Sequence, residues 1–314
     1  MRRLIFILLL CAAEVQMNAE SKDSLLVMFW NVENFFDWID QGTGDSDKSF
    51  SSLGERHWTK KRFYAKCDDI AKSILWIGDR YGRMPDIIGL SEVENKGVLI
   101  KLLNSTLLRK FDYRIIHRDS RDRRGIDVAV LYRSSKMNPL TQSFLSLDSL
   151  RTRDILQAEM LLEDGKKLDI IVNHHPSKFG GLSQSDINRE RVMSRLKDLC
   201  DSLLSSGHTR LLAMGDFNDT PDAKQFDILG GVLENKGTDL HKDGRGTIRY
   251  KGKWELIDMF LTYGLGNCQM DILELPFLMI YDNTYPGYKP LRTYSGPRYI
   301  GGVSDHCPIC LWAN

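Results

Sequence analysis

Acidic, amide and imidazole side chains collect at the ends of apolar runs in this chain. Asn31 and Glu33 follow or close the run Leu25–Asn31, Glu92 closes Asp86–Glu92 (DIIGLSE), and His174 closes Leu168–His174 (LDIIVNH). Asp216 and Asn218 end Leu211–Asp216 (LLAMGD), Asp258 sits inside Leu256–Thr262 (LIDMFLT), and Asp305 and His306 open His306–Trp312. Carboxylates can hold a hard cation or accept a proton. Amides can orient a water or a phosphate oxygen, and imidazole can exchange a proton near neutrality. Each residue alone has an ordinary explanation: GDFND at 215–219 has the composition of a tight turn, and a lone histidine is usually packed rather than catalytic. Strand ends on one edge of stacked sheets point into a common crevice, so these groups are expected to converge.

Their types narrow the chemistry. A carboxylate on one ring nitrogen of His306 would fix its tautomer, raise its pKa and leave the other nitrogen facing substrate. Asp305 and Asp258 are both candidates, and spacing does not choose between them. Glu92 is either solvated at its strand end or held near a cation. A sparse acidic set suits Mg²⁺, which keeps waters and binds substrate phosphate oxygens; a zinc site would require closely spaced His or Cys ligands. His174 and His175 are adjacent, so on a strand only one can face a shared site. His174 is the expected one, with His175 a surface or loop-packing residue. Arg124, in RRGIDVAVLYR, either clamps a phosphate with its planar fork or is a solvated charge in the basic run Arg118–Arg124.

The elements that must position these groups follow from apolar patterning. Besides the runs above, Ile126–Tyr132 and Leu156–Leu162 read as strands. Lys61–Ile77 places Phe63, Ile70, Ile74 and Ile77 on one helical face, and Val98–Leu108 and Ile187–Leu204 also read as helices. Residues 40–54 are expected to be a mobile surface loop and 236–253 a Lys/Gly-rich loop. Strands with helices interspersed, and no long linker, argue for one domain of two stacked sheets flanked by helices.

The chain has 314 residues, 42% of them hydrophobic, which suffices for a sizeable core. Lysine plus arginine (43) nearly balances aspartate plus glutamate (42), which argues against tight non-specific binding of nucleic acid without excluding a local basic groove. Arg2 and Arg3 followed by Leu4–Ala13 resemble an export signal, with residues 1–19 removed and the domain occupying 20–314. An uncleaved anchor and a lipid on Cys11 are the alternatives. Of six cysteines, loss of Cys11 leaves five, an odd number without a dense disulfide pattern. Cys307 and Cys310 form a CxxC string inside an apolar segment, where packing explains them better than zinc or redox chemistry.

Seven motifs in order resemble the endonuclease/exonuclease/phosphatase superfamily, the DNase I-like fold. They are FWNVEN (29–34), LSEVEN (90–95), RGIDVAVLY (124–132), VNHHPS (172–177), GDFND (215–219), LIDMFL (256–261) and SDH (304–306). The resemblance implies an α/β fold, a four-layer α/β/β/α sandwich of two mixed sheets, and Mg²⁺-dependent phosphoester hydrolysis with Mn²⁺ as a possible substitute. It implies Glu92 as main metal ligand, helped by Asn31, Glu33 and Asp305. His306 would pair with Asp258 as base or charge stabiliser; Asp216 and Asn218 would orient water and the scissile phosphate; His174 would assist the leaving group or bind a phosphate oxygen. Whether His306 or Asp216 is the base stays open. The expected substrate is DNA or RNA, on the strength of the basic run Arg118, Arg121, Arg123 and Arg124. A phosphatase or phosphodiesterase acting on small or lipid phosphoesters is the alternative. An exported location is expected, with no stable protein partner and no integral membrane domain after signal removal.

Overall fold

The computed structural model describes residues 24–147, 150–178 and 182–314. The expected leader, with Cys11, lies outside the described residues. In chain order the first strands are β1 (Leu25–Phe35), β2 (Ile87–Val93), β3 (Tyr113–His117), β4 (Asp127–Arg133), β5 (Met137–Leu145) and β6 (Ile155–Leu162). Next come β7 (Lys167–His174), β8 (Leu211–Asp216), β9 (Glu234–Asn235), β10 (Ile248–Tyr250), β11 (Lys253–Glu255) and β12 (Asp258–Tyr263). The last are β13 (Cys268–Ile272), β14 (Met279–Asp282), β15 (Gly287–Pro290), β16 (Tyr294–Ser295), β17 (Arg298–Tyr299) and β18 (Ile309–Ala313). Two six-stranded mixed sheets result, ordered β13-β18-β1-β2-β4-β3 and β5-β6-β7-β8-β12-β9.

Strand β1 shows why both faces of the first sheet are buried. Successive side chains alternate faces. Leu25, Val27 and Phe29 enter the core between the sheets, while Leu26, Met28 and Trp30 pack beneath the helices. Those helices are α1 (Lys60–Tyr81) and α2 (Lys96–Ser105). The expected apolar face of α1, Phe63, Ile70, Ile74 and Ile77, is fully buried. Thr59 caps its start by accepting from the Arg62 amide, and Gly82 ends it at φ 70°, a conformation that suits glycine. Helix α3 (Leu182–Ser205) covers the second sheet with Val192, Met193, Leu196 and Cys200. The four layers expected from the resemblance are therefore present.

Two segments differ from expectation. Residues 40–54 are pinned rather than freely mobile: buried Asp47 accepts from the amides of Gln41 (2.7 Å) and Thr43 (3.1 Å), and Phe50 stacks on Phe36 at 5.3 Å. Their polar composition hides this because the order comes from side chain-to-backbone bonds, not from apolar periodicity. Residues 236–253 hold α4 (Thr238–Lys242) and most of the β10–β11 hairpin. The hairpin's tip residues Lys251 and Gly252 both have positive φ (47° and 84°), as a type I′ turn requires. Among the described residues the cysteines are free; Cys307 and Cys310 are buried in the core, as packing residues should be. No helix among the described residues is long and apolar enough to cross a membrane.

Candidate active site

Three adjacent strands of the second sheet set the first half of the site. Parallel pairing of β7 with β8 places His174 opposite Asp216, and antiparallel pairing of β12 with β8 places Asp258 opposite the same residue. Cross-strand partners point to the same face, so the three side chains converge. His306 arrives from the other sheet. Its carbonyl accepts from Trp30 Nε1 (2.8 Å), and its amide donates to Ser304 Oγ (3.0 Å), whose hydroxyl donates to the Asn31 carbonyl (2.6 Å). The SDH motif is thereby tied to β1.

Asp258, not Asp305, is the partner of His306: its Oδ2 lies 2.8 Å from Nδ1. Nε2 is turned towards Asp216 Oδ2 and Asp305 Oδ1, each at 3.9 Å. Burial alone would lower the imidazole pKa, but Asp258, Asp216 and Asp305 together raise it well above the ordinary value. Asp216 accepts from Asn31 Nδ2 at 3.0 Å and from the Asn218 amide at 2.9 Å. Burial, then Asp258, push its carboxyl up to about 7, against the pull of His306 and Asn31. His174 is buried with Nε2 3.5 Å from Asp216 Oδ2; burial, with Arg153 and Arg124 nearby, holds it well below the usual range and therefore neutral. Asp216, Asp258 and His306 also bring ligand-type atoms within 4.8 Å of one another. Within that trio Nδ1 of His306 is spent on Asp258, which leaves Nε2 and the Asp216 carboxylate facing each other.

The second half belongs to the first sheet. Glu92 closes β2 and receives both ends of the Arg124 fork (3.2 and 3.0 Å) and the Asn34 amide (2.8 Å). Burial would raise its pKa, but Arg124 and Asn34 bring it to about 2. Glu33, expected among the metal ligands, has both oxygens engaged: Oε1 by Arg292 (3.0 and 2.6 Å), Oε2 by the Thr293 amide (3.2 Å). Burial and Asp305 push it up to about 7. Asp305 is half-exposed and pairs with Arg292 at 3.2 Å. Lys66 reaches the Glu33 carbonyl and Thr293 Oγ1 (2.8 Å), its pKa lowered by burial to about 8. Glu33, Asn34, Glu92 and Asn218 all have positive φ (45°, 51°, 62° and 53°). That sparsely populated backbone region clusters at functional sites.

The oxygen ligands of this half are Glu92 and Asp305, each paired with an arginine as Glu33 is, and the Asn31 amide oxygen, which accepts from the Glu33 amide at 2.9 Å. Such a set fits a hard divalent cation. The imidazoles are engaged or buried elsewhere, which disfavours zinc in this half. A cleft of about 820 Å³ opens beside it, lined by Glu33, Asn34, Arg124 and Arg292 on the catalytic side and by Lys48, Phe50, Arg56 and Tyr294 opposite.

Some residues near the site escaped sequence reading. Lys66 had a signal, because it stands three residues after Phe63 and four before Ile70, on the buried face of α1. Arg292, in the polar stretch KPLRTY, had none. His175 is fully buried against Phe217 (ring centroids 5.0 Å apart), and so is not a surface residue.

The chain matches the endonuclease/exonuclease/phosphatase family over residues 26–314. No curated protein matches it by sequence. Among solved structures, an endonuclease/exonuclease/phosphatase family protein from Bacteroides thetaiotaomicron superposes with a TM-score of 0.60 at 16% identity, over 92% of this chain and 97% of that one. A mannosyl-6-phosphatase of the same organism gives 0.58 at 15% identity (91% and 98% covered). TDP2 of D. rerio, complexed with single strand DNA product, gives 0.56 at 16% identity (93% and 99% covered). At such identities the likeness is one of fold. The family match, spanning nearly the whole chain, makes this protein a member of the endonuclease/exonuclease/phosphatase family, whose members are phosphoester hydrolases that typically depend on a divalent metal.

Proposed function

We propose that the chain is an exported, Mg²⁺-dependent hydrolase of compact phosphoesters. The observation that carries this reading is the cleft beside the acidic set, walled by residues 45–56 and lined also by Arg124 and Arg292. A cleft of that size suits a small phosphorylated molecule better than a running duplex. Within the basic run that favours nucleic acid at the level of sequence, Arg118 pairs with Asp154, Arg123 with Asp45 and Arg124 with Glu92, and only Arg124 lines the cleft.

Glu92, Asp305 and the Asn31 amide oxygen would hold the ion, which when bound supplies positive charge to the phosphoryl group and acidifies water. His306, kept protonated by Asp258, presents Nε2 to the charge that develops on the phosphoryl oxygens. Asp216, held by Asn31 and the Asn218 amide, takes the proton of the attacking water. Neutral His174 contributes a further donor to a phosphoryl oxygen. Arg124 and Arg292 move part of their donor forks from carboxylate to substrate phosphate.

A nuclease is the second reading. Tyr250, Tyr281 and Tyr288 are exposed on hairpins next to His306, where Ile248 bridges to it, and exposed aromatic rings can stack bases. The deciding experiment is a panel of sugar phosphates, nucleotides, a chromogenic phosphodiester and single- and double-stranded oligonucleotides, assayed with Mg²⁺ and with EDTA. Turnover of the small substrates, stopped by EDTA, is expected. Cleavage of oligonucleotides alone transfers the assignment to the nuclease, and EDTA-resistant turnover rejects the metal. Export is checked by fractionating the producing cell and determining the N-terminus of the mature protein.

A further inference from the structure

A second cluster of ligand-type side chains lies outside the catalytic machinery, at the base of the loop that delivers Arg124. His117 is the last residue of β3 and Asp127 the first of β4. Asp119 stands two residues into the connection. The His117 side chain is 1% exposed, that of Asp127 5%, and that of Asp119 73%. One donor atom from each lies within 4.8 Å of the others.

The distances are unusual for a hydrogen-bonded histidine. Nε2 is 3.6 Å from Asp127 Oδ2 and Nδ1 is 3.8 Å from Asp119 Oδ1, both too long for hydrogen bonds. Nε2 is buried with no hydrogen-bond partner within 3.5 Å, its nearest acceptor being Asp127 Oδ2. Two ligands on one tetrahedral zinc, each at about 2.0–2.1 Å, stand about 3.4 Å apart. The Nε2–Oδ2 gap is thus closer to the edge of a coordination polyhedron than to a hydrogen bond. Asp127 is oriented for this: Oδ1 accepts from the Ser120 amide at 2.9 Å, leaving Oδ2 towards the ring.

We propose that His117, Asp127 and Asp119 form a second metal site that takes a transition-type divalent ion, Zn²⁺ before Mg²⁺, with water completing the shell. One imidazole with two carboxylates suits zinc, whereas the oxygen-only set at Glu92 suits a harder ion. His117 Nε2 and Asp127 Oδ2 form the buried edge, and the exposed Asp119, which stands nearest Nδ1, would turn its side chain to close the site from solvent.

The ion would staple both ends of residues 118–126. From Asp127 the order runs through Ser120, whose Oγ accepts from the Asp122 amide (3.2 Å), to Asp122, whose carboxylate accepts from the Arg124 amide (2.8 Å). The site therefore holds the segment that sets Arg124 on Glu92. It stands independently of which phosphoester is the substrate.

The test uses tag-free protein in a Glu92→Gln/His306→Ala host, which disables the catalytic cluster as a competing site, titrated with Co²⁺ in excess Mg²⁺ and followed by visible absorption and equilibrium dialysis. One Co²⁺ per chain, displaced by Zn²⁺, is expected in the host and is expected to be lost on adding His117→Gln. Because that change sits in a buried position, Asp119→Asn at the exposed ligand provides a second variant, with affinity expected to fall about 10-fold or more. A host that binds no Co²⁺ overturns the site. So does absorption that survives His117→Gln, and unchanged Co²⁺ affinity in Asp119→Asn rejects the three-residue ligand set.

Discussion

The two halves of the candidate active site arrange the same residue types differently. On the second sheet, His174, Asp216 and Asp258 sit side by side on neighbouring strands, and His306 is bonded directly to Asp258. On the first sheet, Glu33, Glu92 and Asp305 are balanced by Arg124 and Arg292, whose side chains are 37% and 48% exposed. The first half is a buried, directly bonded group whose ionisation is shifted by burial and by its charged neighbours. The second is a set of charges with arginine partners that incoming phosphate can draw away. Proton chemistry needs fixed distances; charge binding tolerates exchange of partners.

That contrast can be broken by mutation. His306→Ala should lower kcat by about 10²–10⁴-fold, measured by steady-state kinetics, and should also lower the thermal transition because Asp258 loses its buried partner. Asp258→Asn should cost about 10²-fold in kcat, because Nδ1 loses its anionic partner, and should move the alkaline limb of the rate profile to lower pH as the imidazolium becomes easier to deprotonate. In the other half, Arg124→Ala should raise KM by about 10-fold and lower the Mg²⁺ concentration needed for half-maximal rate, since Glu92 loses its competing partner. A fall in kcat as large as that of His306→Ala, with KM unchanged, would erase the distinction between the halves.

The smallest expected effect concerns stability and isolates burial from catalysis. His175 is fully buried, and burial, with Arg153 and Arg189 adding to it, lowers its pKa from near 6.5 to about 3. The unfolded chain therefore binds more protons than the fold between those values, so stability rises with pH in that window. The contribution is complete above about pH 6.5 and is lost as pH falls towards 3. His175→Phe should keep the packing on Phe217 and remove this slope, a difference of roughly 2 kcal/mol at pH 5. Urea midpoints measured from pH 7 to 4 check it; parallel curves for the two proteins would mean that His175 is not held neutral.

Much of the fold was legible in the sequence because buried strands and amphipathic helices write their burial as periodicity. The face of α1 and the double-sided burial of β1 are examples. The 40–54 segment was not legible, since Asp47 holding two backbone amides leaves no periodic trace. In the site, the strand-end residues were legible as a set. The commitment of Glu33 to Arg292 was not: the two are far apart in sequence, and their pairing depends on how residues 292–304 pack against β1.

Residue chemistry and order along the chain determined the family and with it the reaction class, because strand-end carboxylates, amides and imidazoles in that order have few other uses. Only the tertiary structure decided which carboxylate lies on His306, that burial lowers the His174 pKa, and that Arg124 rests on Glu92. Those outcomes depend on through-space distance and desolvation. Both arise where the two sheets meet, and neither is encoded by spacing along the chain.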